Sequence, residues 1–134
     1  MKFGAFAKAL DAITTKEFQW GSHDCVFGLV VPVVEAATGR RDLFSQYRGK
    51  YKSARGALGI LKRNNFETLA DLIASEFPEI DPSEIRLGDI AAISNNDDFA
   101  YSMGICNGQR VFVLHPDGLA TRDLSEVKRA FRVE

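Results

Sequence analysis

Apolar residues recur at helical spacing at Phe3, Phe6, Ala7, Leu10 and Ile13, which predicts an amphipathic helix over residues 3–14. Residues 14–21 read as a connecting loop. A second helix is predicted to open at Ser22 or Asp24, both good capping residues, and to run to Ala37, where Thr38-Gly39 stops it. It is apolar nearly all round, the pattern of a central buried helix. Pro32 falls inside it and removes a backbone hydrogen bond to Gly28, so a local kink is expected. Periodicity predicts two further amphipathic helices, 53–63 and 66–76, split at Asn64-Asn65. Pro78, Pro82 and the acids between them read as a linker with little structure.

After Gly88 the pattern changes. Residues 89–93 read as a strand and 94–98 as a turn. Strands over 100–106 and 110–114 follow, joined by Asn107-Gly108, the strongest short hairpin signal in the chain. Residues 119–122 and 129–133 are predicted short strands. Helices first and an antiparallel sheet second make an α+β domain, and 134 residues suit one core, so a single domain over 1–134 is expected.

Composition changes this picture little. Hydrophobic residues are 46% and charged residues 26%, ordinary globular usage, and the net charge of -1 exerts no global pull on nucleic acid or an acidic membrane. The longest apolar run, Val26 to Val34, is broken by Gly28 and Pro32, so no membrane span is expected. Residues 1–8 lack a hydrophobic signal core. Synthesis in a reducing cytoplasm is therefore expected, with Cys25 and Cys106 as free thiols rather than a disulfide.

Chemistry concentrates in Phe18-Gln19-Trp20-Gly21-Ser22-His23-Asp24-Cys25. A cysteine in the first turn of a helix feels the positive end of the macrodipole and the free backbone N–H groups, which favours thiolate. A free thiol titrates near ~8.5, and a helix start with a cationic neighbour lowers that. The same N–H groups are placed to stabilise an oxyanion in acyl transfer. The plainer alternative makes Cys25 a small buried hydrophobe. Asp24 has an equally plain role as a first-turn acid, and an acid beside a thiol opposes its ionisation.

These residues carry a resemblance. Trp20-Gly21, with Asp24-Cys25 opening an apolar helix that ends in Thr38-Gly39, is similar to the NlpC-like branch of papain-type cell-wall peptidases. Leu87-Gly88-Asp89-Ile90 resembles that family's entry into its first sheet strand. Met103-Gly104-Ile105-Cys106-Asn107-Gly108 resembles the hairpin bearing the base histidine, and Val111 to His115, with Gly118-Leu119, the next strand and third polar residue. The set covers most of the chain in the family's order. Short phage- or prophage-encoded look-alikes, often from tail-assembly neighbourhoods, also share the element present here as Tyr47-Arg48-Gly49-Lys50-Tyr51.

The resemblance implies a papain-like fold with Cys25 as nucleophile, His115 as the residue orienting the base, and Trp20, Asp24 and Tyr101 as substrate contacts. It implies a cell-wall peptide or phage tail proteins as partners, no cofactor, and a protein cytoplasmic as synthesised that can become virion-associated. The base histidine belongs just before Met103, where this chain has Ser102; a serine hydroxyl does not take a thiol proton near neutral pH, and losing a general base costs about 10²–10⁴ in rate. Val26 stands where the family has a small polar residue. Two readings follow: a thiol hydrolase in which His115 serves Cys25 directly, or a catalytically inactive structural or binding protein on the same scaffold.

His115 alternatively ends a strand and bonds to backbone. His23 is a second candidate for the missing base, close to Cys25 in sequence but two residues before it and so expected to point away from the thiol; its plainer reading is a solvated loop residue. The chain is basic from Arg40 to Arg63 and nearly all acidic, among its charges, from 67 to 98. That asymmetry makes a solvated face or, with Tyr47 and Tyr51 interleaved, a surface for an anionic polymer; the solvated face is the preferred reading and a nucleic-acid partner the disfavoured one. Two histidines and two cysteines are too few and too scattered for a zinc site. No glycine-rich phosphate loop is present.

Overall fold

The computed structural model describes residues 3–133. The first helix, α1, is Phe3–Thr14, as its spacing predicts; Ile13 is buried, while the side chains of Phe3 and Phe6 lie outside the description. The central helix begins as a π-helical segment, π1, at Cys25–Val30 and continues as α2, Val31–Thr38, closed by Gly39 in the left-handed conformation. The expected kink is thus a change of helix type. In α geometry the Pro32 ring would strike the Gly28 carbonyl. The wider turn avoids this, with Val31 N–H donating to the Val26 carbonyl five residues back.

Helix α3 is Ala54–Arg63, and α4 is Leu69–Ala74, shorter than predicted; its start is fixed at Thr68, which forms a reciprocal capping box with Asp71. Six strands follow: β1 Glu79–Ile80, β2 Ile90–Ser94, β3 Tyr101–Cys106, β4 Arg110–His115, β5 Gly118–Asp123 and β6 Val127–Phe131. They form one antiparallel sheet in the order β1-β6-β2-β3-β4-β5. The fold is α+β. The segment read as an unstructured linker contributes β1, because Glu79 and Ile80 find Phe131 and Ala130 across the sheet. Local composition cannot report so distant a partner.

Leu29, Val30, Val33 and Val34 of the central helix are buried against Ile90, Ala92, Met103 and Ile105 of the sheet. At roughly 1.5–3 kcal/mol for each large apolar side chain removed from water, this contact holds the two layers together. The other face of β2, β4 and β6 forms a smaller cluster through Ala91, Ile93, Val111 and Val113, flanked by Ile80, Ile85 and Leu124. The sheet is apolar on both sides at β2, which is why Ile90 to Ile93 shows no alternation. Among the described residues no helix is long and apolar enough to cross a membrane.

Candidate functional site

Asp24 is the N-cap of the helix that carries Cys25. Its Oδ1 accepts from the N–H groups of Val26 at 3.1 Å and Phe27 at 3.0 Å, and its Oδ2 from Gly21 N–H at 3.0 Å and from the Tyr51 hydroxyl. The carboxylate is 2% exposed. Expected among the substrate contacts, it is instead turned inward with both oxygens committed to the protein. Gly49 N–H donates to the Gly21 carbonyl at 2.9 Å, and a side chain on Gly21 would meet the Tyr51 carbonyl oxygen. The Tyr47 to Tyr51 element is therefore the strap that holds the cap in place.

His23 is not the solvated residue expected. It is buried, and its Nε2 lies 3.1 Å from the Ile13 carbonyl at the end of α1. A carbonyl only accepts, so Nε2 carries the hydrogen and the ring fastens α1 to the loop before Cys25.

Cys25 is partly exposed, in the first turn of the central helix, and lines a cavity of about 90 Å³. Ser102, His115, Trp20 and Tyr101 line the same cavity. Four of the five are thereby gathered by β3, β4 and the loop before the helix. Among the described residues no hydrogen bond joins the Cys25 thiol to the His115 ring. His115 ends β4 opposite Gly118. The Ser102 hydroxyl accepts from the Asn95 side-chain amide at 2.9 Å. Trp20 stacks on Phe99, with ring centroids 5.9 Å apart and 16° between planes, and Phe18 meets Trp20 edge-on at 5.0 Å.

The thiol is not the depressed acid expected at a helix start. Burial, then the neighbouring Asp24 carboxylate, push it up to about 12, and Asp97 adds to the rise. The Met103 backbone amide pulls the other way and does not compensate. The main reason is burial, which strips water from the thiolate; the cap that satisfies the helix start is in addition an anion next to the sulfur and opposes the field that would favour thiolate. Cys106, also unpaired, is buried on β3, where its sulfur accepts from Gly108 N–H at 3.3 Å.

Among the lining residues that escaped the sequence reading are Asn95, Asp97 and Phe99, all in the turn between β2 and β3. Polar turn residues carry no mark of the cavity they face; only the pairing of Ile93 with Ser102 and Ser94 with Tyr101 brings this turn over the helix start.

Residues 4–133 match DUF6950, a domain of unknown function. The chain belongs to the DUF6950 family. No curated protein matches it in sequence and no solved structure matches it in fold. In this DUF6950 chain, no group of three or more His, Cys, Asp or Glu side chains among the described residues stands close enough to hold a metal ion.

Proposed function

We propose that this chain is a papain-like, NlpC-type domain whose thiol cleft binds a peptide without cleaving it, acting as a structural or binding component of a phage or prophage tail. The observation that carries this reading is Ser102. The resemblance puts the general base at that position, and the side chain there is a hydroxyl held by the Asn95 amide on the wall of the Cys25 cavity. Such a hydroxyl does not accept the thiol proton near neutral pH. The protonated state of Cys25 is in keeping with this. The aromatic pair Trp20 and Phe99, beside Asn95 and Ser102, offers an apolar wall and a few polar groups, the usual make-up of a binding cleft. The ligand class is a cell-wall stem peptide or a segment of a tail protein.

One observation favours the hydrolase reading: His115 lines the same cavity as Cys25. Iodoacetamide alkylation of Cys25 across pH, with cell-wall stem peptides offered as substrate, separates the two. The binding reading expects slow alkylation with no inflection near neutral pH, no cleavage, and a Cys25→Ala variant that keeps fold and ligand binding. An inflection near neutral pH, with cleavage lost in both Cys25→Ala and His115→Ala, overturns it in favour of an enzyme.

A further inference from the structure

A second and larger depression, about 450 Å³, lies between α1 and the central helix and shares no lining residue with the thiol cavity. Its floor is apolar, built from Ala9, Ala12, Pro32 and Ala36. Lys8, Lys16 and Arg48 stand around it, all exposed, and no acidic residue lines it. Among the described residues none of the three is in an ion pair. Arg48 instead lies over the Phe27 ring at 4.7 Å.

His23 gives this groove a polar anchor. It is 7% exposed and lines the groove. Its Nε2 is used by the Ile13 carbonyl, while Nδ1 has no hydrogen-bond partner among the described residues. In the neutral ring that nitrogen is an acceptor that keeps some access to solvent, so a donor of a bound segment can reach it.

We propose that this groove docks an acidic amphipathic peptide segment of a partner protein. Carboxylates of the segment pair with Lys8, Lys16 and Arg48, its apolar side chains cover the alanine and proline floor, and an N–H group reaches His23 Nδ1. The groove has the size of a ligand cleft, and a neighbouring depression of about 590 Å³ continues it past the shared residues Ala36 and Arg48. Arg41 stands in that continuation with Asp42, while Arg40 is tied to Glu76 and Glu35 to the Leu43 amide. That length suits a chain segment better than a small anion. Nucleic acid fits less well, because a sugar–phosphate backbone has no use for an apolar floor. Phe27, the aromatic ring lining the groove, is 3% exposed beneath Arg48 and offers no face for base stacking.

The test uses the full chain and a fluorescein-labelled twelve-residue peptide with glutamates and leucines on opposite helical faces, followed by anisotropy. Binding is expected to weaken with salt and to fall by about tenfold or more in the Lys8→Glu/Lys16→Glu double variant. Lys62→Glu/Arg63→Glu, at the end of α3 and outside the groove, is expected to stay within about twofold of the parent. The His23 ring resonances are expected to move when the peptide is added. Equal losses in both double variants would reduce the effect to general charge attraction and overturn the proposal. So would absent binding, unmoved His23 resonances, or stronger binding of length-matched single-stranded DNA or of vesicles rich in anionic lipid.

Discussion

The Tyr51 hydroxyl donates to the Asp24 carboxylate that caps the helix bearing Cys25. A residue 27 positions away thus completes the helix start, and the thiol's surroundings depend on it. Asp24 takes four donors in all, and each removes some of the cost of burying its charge.

Tyr51→Phe is expected to destabilise the domain by about 1.5–3 kcal/mol, the usual range for a hydrogen bond to a charged group. Asp24→Ala should cost more, because it also removes the cap and leaves several buried N–H groups without an acceptor. Denaturant midpoints measure both, and a Tyr51→Phe midpoint equal to the parent's would dismiss the strap.

Stability should fall at alkaline pH. Cys25 stays protonated in the folded chain up to about 12, and burial and the Asp24 carboxylate hold the Tyr51 phenol far above its ordinary range. Both groups lose their protons more readily when unfolded, near ~8.5 for the thiol and ~10 for the phenol. Above those values the unfolded state binds fewer protons than the native one, so the slope of stability against pH is negative. The contribution is whole below about pH 8 and is lost as pH climbs towards 12. Unfolding titrations from pH 7 to 11 should show the fall, less steep in Cys25→Ser and in Tyr51→Phe.

Gly28 lies where the central helix crosses Leu114 and His23. A Cβ there would come 2.7 Å from Leu114 Cδ2, 2.9 Å from His23 Nδ1 and 3.0 Å from the His23 carbonyl carbon. The last is backbone and cannot swing aside. Gly28→Ala should therefore destabilise by about 1–3 kcal/mol, despite alanine's better helix propensity. A thermal midpoint lowered by several degrees is the expected reading, on the order of 4 °C or more.

Asp89 is 1% exposed and accepts from the amides of Arg86 at 3.1 Å and Val133 at 3.0 Å, with Arg132 Nε at 3.1 Å from Oδ2. It ties the entry to β2 to the end of β6. Asp89→Ala should cost about 3–5 kcal/mol, since it strands a half-buried guanidinium. Chemical denaturation would detect it, and a near-neutral result would mean that Arg132 finds another partner.

Much of the fold was legible in the chain because its signals are local. The α1 spacing, the Asp24 cap, the Gly39 stop and the Asn107-Gly108 turn each act within a few residues, and all appear where expected. The two-residue β1, the π-helical turn before Pro32 and the shortened α4 were not legible. The first needs the far end of the chain, and the second depends on the packing of the central helix. Among site residues, Cys25 at a helix start and the strand positions of Ser102 and His115 followed from motif order. The gathering of Asn95, Asp97 and Phe99 around them did not.

The order of residues alone determined the main helices and the longer strands, and that a cysteine would stand one residue past a capping acid. Both depend on backbone preferences and side-chain spacing over a few positions. Tertiary structure decided the charge of that cysteine, the fate of Asp24 and His23, and the groove beside α1. The free energy of an ionisable group sums over burial and over every charge and dipole nearby, and those neighbours arrive from elements far apart in the chain.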